Sequence, residues 1–257
     1  MTTIMQMSEY LLRVLPGLVL VAVVMYGMRP TAAARVALYL LAFVLLRDAL
    51  TPLGLWRFGV HDGVFWIRLS DDPWFLVLFG LSAAAMATAV YAADKENRHG
   101  VVLLRAGVLK GAVAGLLGFA LVVLPLVLLY RMVPLEHRGG AVEAGLLLAT
   151  LVFALLGNFL EELLFRGYVL AGLTRHAPRA VVRTRLGRIM TPGVQSGFVF
   201  ALCHVFLATT VSSAGAPLLL FTLWEGIIAG VVGERYGVIP ATITHGGAIF
   251  LLSSGLV

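Results

Sequence analysis

Long apolar blocks alternate with short polar segments along the whole chain. A helix needs about 20 apolar residues to cross the hydrocarbon core of a bilayer. The blocks therefore predict eight membrane-spanning helices, over 9–28, 36–56, 73–93, 106–131, 143–173, 192–211, 215–233 and 237–256. The fifth block is longer than one perpendicular crossing requires, so we expect that helix to tilt or to extend beyond the bilayer.

The composition agrees with this pattern and excludes a water-soluble domain. Of the 257 residues, 60% are hydrophobic and only 12% are charged, far from the usual composition of a soluble globular protein. The chain is predicted to be one all-α, polytopic transmembrane domain over 1–257, surrounded by lipid bilayer. The apolar run that ends at Met28 is too long for a typical cleaved signal, so it is interpreted as the first span.

The basic residues of the loops explain the net charge of +6 without a nucleic-acid partner. If the N terminus lies outside, the inner loops and their edges hold eleven Lys and Arg residues and the outer ones hold four. The positive-inside rule then predicts that both termini are outside. The loop 174–190 contributes most to this prediction, with Arg175, Arg179, Arg183, Arg185 and Arg188.

Four titratable residues in the last four predicted spans lie at a similar depth. At 1.5 Å per residue, the positions of Glu161, His204, Glu225 and His245 are about 12–18 Å from the inner face. A charge at such a depth is costly, so an ionisable residue there is a candidate functional residue. Their shared depth predicts one polar cavity within the bilayer, surrounded by the helices.

Helix geometry suggests different roles for the two neighbouring glutamates. Glu162 and Arg166 are four residues apart and can pair on one face, either as a purely structural clamp or as part of a site. Glu161 is rotated by about 100° from Glu162 and is less neutralised, so it can exchange a proton with water. His204 and His245 can share general-base work and donate a hydrogen bond to a developing oxyanion.

Other interpretations of the intramembrane residues remain open at this point. A membrane histidine often only bonds a neighbouring helix, and Glu225 can line the cavity or pair with Arg47. Arg47 and Asp48 are sequence neighbours, so we expect them to face different partners. Cys203 can form no disulfide within the chain because it is the single cysteine, and we interpret it as a packing residue.

Zinc is the main alternative to water activation by side chains alone. Two histidines and a glutamate form a catalytic zinc site in several enzymes. The usual H-E-x-x-H signature on one helix is absent. The residue types alone leave zinc open, and our prediction of no metal and no cofactor rests partly on the family resemblance that follows.

Three short motifs resemble the CAAX prenyl protease and bacteriocin-processing (CPBP) family. The first, Glu-Glu-x-x-x-Arg, is present at 161–166, and the second, Phe-x-x-x-His, runs from Phe200 to His204. The third begins at His245, but Ile249 stands where the family has Asn or a similar polar residue. The resemblance covers about 143–256, which we predict to be the catalytic core region.

The resemblance implies an eight-helix intramembrane endopeptidase of the glutamic type. It implies that Glu161 and His204 activate water and that His245 stabilises the oxyanion. The supporting residues are predicted to be Glu162, Arg166, Asn158, Phe200 and Glu225. Asn158 is included because it lies three residues before Glu161 and can replace the missing donor at position 249.

The expected activity is hydrolysis of a peptide bond in a lipidated or membrane-anchored protein or peptide. The expected location is a bacterial cytoplasmic membrane. The alternative is a non-catalytic CPBP-like scaffold or bacteriocin-immunity protein, which Ile249 favours. A transporter is less favoured, since no pair of matching broken helices is present. The sequence does not indicate the oligomeric state.

Overall fold

A computed structural model describes residues 3–176 and 185–257. Besides a short 3₁₀ helix, Leu135–Arg138, ten helices follow one another within these ranges. They are α1 Thr3–Met28, α2 Ala32–Asp48, α3 Pro73–Ala93, α4 Lys95–Arg98, α5 Val108–Tyr130, α6 Ala144–His176, α7 Arg185–Ile189, α8 Pro192–Val211, α9 Gly215–Tyr236 and α10 Val238–Ser254. Strands β1 Trp56–His61 and β2 Val64–Leu69 lie between α2 and α3.

The protein is an all-α polytopic membrane protein, as the apolar blocks predicted. In the described part of the chain, α1, α3, α5, α6, α8 and α9 are long and apolar enough to cross a bilayer. The other two predicted spans correspond to α2 and α10, which have 17 residues each. The predicted orientation is not tested, and Arg179 and Arg183 of its most basic loop lie outside the described residues.

The predicted second span, 36–56, is wrong at its C-terminal end. Helix α2 ends at Asp48, and Trp56 already belongs to β1. Residues 51–56 are apolar enough to extend the hydropathy block, but Pro52 and Gly54 interrupt the helix. The φ of Gly54 is +69°, in the left-handed region that favours glycine.

A β-hairpin follows α2, and the sequence patterns above did not predict it. Its strands are antiparallel, with Trp56 opposite Leu69 and Phe58 opposite Ile67. Asp62 and Gly63 form the two-residue turn, with φ values of +50° and +75°. An Asp-Gly pair between two aromatic and β-branched runs is a strong hairpin signal, so the information was present in the sequence but hidden between two apolar blocks.

Helices α8 and α9 pack with their backbones in contact. A Cβ atom on Gly197 would lie 2.6 Å from the carbonyl carbon of Gly226, closer than side-chain carbons approach. Small residues of this kind allow membrane helices to approach each other closely. The contact fixes the position of α8 along α9. His204 lies about two turns after Gly197 on α8, so the contact also helps to fix its position.

Candidate active site

Helix α6 carries the first motif between two widened turns. Residues Asn158–Glu162 are α-helical, while Phe153–Gly157 and Leu163–Val169 have π-helical hydrogen bonding. A π turn holds more residues than an α turn, so it changes the direction of the side chains that follow. Such turns often occur at functional sites. Relative to the two ends of α6, the side chains of Glu161 and Glu162 therefore point in other directions than they would on an unbroken α-helix.

Glu162 is the centre of a buried ionic network that joins three helices. Its Oε1 atom accepts a hydrogen bond from Nη1 of Arg166 at 2.9 Å and lies 2.8 Å from Nδ1 of His245 on α10. Nη2 of Arg166 donates to the carbonyl oxygen of Gly226 on α9 at 3.0 Å. The guanidinium also lies over the ring of Phe200, 4.4 Å from its centroid. These contacts show how two opposite charges can be accommodated away from solvent.

Glu161 faces the second motif instead. Its Oε1 atom is 3.6 Å from Nε2 of His204, which is too long for a direct hydrogen bond. Nδ1 of His204 lies 2.8 Å from the carbonyl oxygen of Phe200. Because a carbonyl can only accept, Nδ1 carries a proton, and in the neutral ring Nε2 presents its lone pair toward Glu161. Two proton acceptors thus stand side by side.

Four of the predicted site residues line one small cavity of about 20 Å³. Its lining includes Glu161, His204, Glu225 and His245, the four residues that were predicted to share a depth. Glu225 faces His245, with 3.7 Å between Oε2 and Nε2. A cavity of roughly 10–15 Å³ is enough to hold one water molecule when polar partners are present.

Ile249 lines the same cavity and is buried. It lies one helical turn after His245, on the same face of α10. The residue that departs from the family pattern is therefore at the site itself, and its side chain brings no hydrogen-bond donor.

The β-hairpin forms part of the cavity wall, which sequence reasoning missed. Alternation along a strand places Trp56 and Phe58 on one face, and the register adds Phe65 and Ile67 to that face. All four side chains line the cavity. On the other face, Arg68 donates to the carbonyl oxygen of Leu252 at 2.9 Å and fixes the hairpin to α10.

A larger pocket of about 260 Å³ reaches Glu161 from the side of α1. Apolar side chains of α1, α2, α3 and α6 form most of its wall, and its polar groups belong to Tyr10, Arg47, Trp56, Ser82, Asn158 and Glu161. Asn158 donates from Nδ2 to the carbonyl oxygen of Ala154 on its own helix at 2.6 Å. Glu161 and Trp56 line both this pocket and the small cavity.

The expectation that Arg47 and Asp48 face different partners is wrong. Nε of Arg47 donates to Oδ1 of Asp48 at 2.7 Å, and Nη2 donates to the carbonyl oxygen of Cys203 at 2.8 Å. The long arginine side chain folds back at the helix end, where the direction of the Cβ atoms no longer decides the contact. Glu225 lies beside His245, as described above, and not in a pair with Arg47.

The site's histidines and carboxylates are also residue types that bind zinc. Within residues 3–176 and 185–257, no group of three or more His, Cys, Asp or Glu side chains is arranged to hold a metal ion. In this arrangement the histidines instead contact carboxylates and a carbonyl oxygen.

The comparison with protein families agrees with the three motifs. Residues 143–251 match the model described as type II CAAX prenyl endopeptidase Rce1-like. The matched segment contains all three motifs and extends through Ile249. The resemblance to the CPBP family that the motifs predicted is therefore confirmed over this part of the chain. The chain matches no curated protein and no solved structure.

Proposed function

We propose that this protein is an intramembrane endopeptidase that uses side chains, without a metal, to activate water. The observation that carries the proposal is the position of Glu161 and His204 side by side in a cavity that fits one water molecule. The family description names an endopeptidase, and the geometry supplies a matching chemistry.

In the first step, Glu161 accepts a proton from a water molecule that also donates to Nε2 of His204. The water oxygen bonds to the scissile carbonyl carbon, and the electron pair of the C=O bond moves to oxygen. In the second step the carbonyl re-forms, the C–N bond breaks, and Glu161 delivers its proton to the leaving nitrogen. The glutamate thus acts first as general base and then as general acid.

His245 is proposed to stabilise the negative oxygen through Nε2. Its Nδ1 is engaged by Glu162, so a proton on Nε2 makes the ring an imidazolium whose second donor is directed into the cavity beside Glu225. Glu162 and Arg166 position this ring. Phe200 fixes the tautomer of His204 through its carbonyl and supports Arg166 through its ring.

The apolar pocket beside Glu161 is proposed to bind the substrate. Its walls suit an aliphatic side chain, a lipid chain or part of a transmembrane segment, and α1 covers it with few buried residues of its own, Tyr10 and Val14. A lipidated or membrane-anchored protein of a bacterial cytoplasmic membrane is the proposed substrate class. Such a substrate can enter laterally between α1 and the rest of the helices.

The test compares protein termini in cells that express the wild type or Glu161→Gln. Quantitative proteomics of membrane-protein termini should show substrates that are cleaved only by the wild type. The purified protein should cleave a quenched fluorescent peptide containing such a site, and Glu161→Gln and His204→Ala should not. Equal cleavage by Glu161→Gln would refute the proposal.

Ile249 in the cavity keeps the non-catalytic scaffold or immunity protein as the second candidate. That function needs the cavity and its binding surface but no proton transfer. If Glu161→Gln and His204→Ala both retain the cellular phenotype, and no terminus changes, the second candidate is correct.

A further inference from the structure

The small cavity lacks the side-chain donor that the family pattern supplies at position 249. An oxyanion formed there needs at least one donor besides His245, because preorganised donors provide much of the stabilisation in such sites. Ile249 provides none. The missing donor must come from another residue, or the reaction is slow.

Four described side chains of the cavity wall carry an N–H or O–H donor, apart from the carboxyl groups. They are Trp56, His204, Thr222 and His245. His204 uses Nδ1 for the carbonyl of Phe200, and Thr222 donates to the carbonyl of Leu219 at 3.1 Å. Trp56 and the outer nitrogen of His245 are left.

Within residues 3–176 and 185–257, the indole N–H of Trp56 has no hydrogen-bond partner. The residue is 7% exposed, and Nε1 is buried without a hydrogen bond. A buried donor is costly to leave unpaired, so each such group in a folded protein requires an explanation. Trp56 also lines both the small cavity and the apolar pocket, as Glu161 does. It therefore stands where a substrate that enters through the pocket meets the activated water.

From these contacts we propose that Trp56 is a catalytic residue and donates from Nε1 to the oxyanion, in place of the polar residue that the family has at position 249. This inference rests on the proposed endopeptidase function. The hairpin is then a part of the active site, and its register sets the position of the donor: Trp56 is the first residue of β1, directly after the loop that follows α2.

The experiment uses the full-length protein in detergent micelles and a quenched fluorescent peptide with a prenylated cysteine followed by three residues. Trp56→Phe removes the N–H and keeps an aromatic ring. We expect kcat to fall by about 100-fold, the lower end for the loss of one oxyanion donor, with KM unchanged. Trp66→Phe is the matched control, because Trp66 lies on the opposite face of the same hairpin. It should retain the wild-type kcat.

A second variant tests whether the two positions are equivalent. Ile249→Asn restores the donor of the family pattern, so the double variant Trp56→Phe/Ile249→Asn should regain most of the lost kcat. A role of Trp56 in packing, or in holding the attacking water, would not be rescued by an amide at position 249. The melting temperature of each variant should stay near that of the wild type.

Each result decides between the possibilities. Wild-type kcat in Trp56→Phe, an equal loss in Trp66→Phe, or no rescue by Ile249→Asn would overturn the role of Trp56 and leave the proposed endopeptidase standing. If the wild type cleaves neither the peptide nor any cellular protein in the comparison with Glu161→Gln, both proposals are overturned. Loss in Trp56→Phe with rescue by Ile249→Asn supports both.

Discussion

The ionic network around Glu162 leads to a quantitative prediction about stability. Arg166→Met keeps a long side chain on α6 but removes its charge. The arginine makes two hydrogen bonds, to Glu162 at 2.9 Å and to the carbonyl of Gly226 at 3.0 Å. Hydrogen bonds that involve a charged group contribute about 1.5–3 kcal/mol each, and removal of one partner of a buried pair costs about 3–5 kcal/mol.

The expected loss of unfolding free energy lies at the lower end of that range, about 3 kcal/mol. The reason is that Glu162 keeps its contact with His245 at 2.8 Å. A loss of this size lowers the folding equilibrium constant roughly 100-fold, at about 1.4 kcal/mol for each factor of ten. Replacing both charges, in Glu162→Gln/Arg166→Met, should recover much of the loss, because position 162 then no longer buries a charge that has lost its arginine partner.

A matched control is available in the first helix. Arg13 and Glu9 have the same spacing and the same 2.9 Å separation, but about half of each side chain is exposed. Arg13→Met should cost at most about 0.5 kcal/mol, as exposed helix pairs do. Unfolding in mixed micelles with increasing SDS, followed by far-UV circular dichroism, measures all variants. Equal losses in Arg166→Met and Arg13→Met would refute the reasoning about burial.

Two further predictions concern helix packing and acid stability. Gly197→Ala should lower kcat about 100-fold, because a Cβ there meets the backbone of Gly226 and shifts His204 relative to its partners. Gly172→Ala is the control and should remain active, since a Cβ at that position meets nothing within 4 Å. Wild-type activity in Gly197→Ala would contradict the prediction. Burial alone would raise the pKa of Asp94, at the end of α3, but hydrogen bonds from Arg35 and a neighbouring asparagine outweigh it and lower the pKa. Because the folded pKa is depressed, this stability is present above the unfolded value of about 3.9 and is lost as the pH falls below it. Asp94→Asn should reduce the stability measured at pH 7 and flatten its decrease in acid, and an unchanged acid profile would exclude the contribution.

The candidate site was accessible from sequence because charge within a membrane is rare. Glu161, His204, Glu225 and His245 could be placed at one depth from their distance to the end of a span, and the structure brings them to one cavity. Their roles stay proposals. The partner of each histidine ring nitrogen could not be predicted from the sequence, because it depends on how three separate helices are rotated and shifted along their axes.

The hairpin shows the opposite case. Its Asp-Gly turn is a local signal. Residues 51–56, however, continue the apolar block of the second predicted span, and the charged residues in and around the strands favoured the interpretation as a loop. Only the tertiary structure shows that Trp56 returns to the membrane-embedded site and lies near Ile249. The prediction that Arg47 and Asp48 face different partners was wrong for a related reason. The rotation of about 100° between neighbouring residues describes the directions of Cβ atoms within a helix, and it does not fix the contacts of a long side chain at the helix end.

The sequence by itself determined that the chain spans a membrane many times and which of its charges need an explanation. Both follow from local composition, because the bilayer penalises each polar residue independently of the fold. The tertiary structure decided which carboxylate faces which histidine, how large the cavity is, and that a hairpin completes its wall. These features depend on helix rotation, widened turns and glycine contacts between distant segments, so no local pattern specifies them.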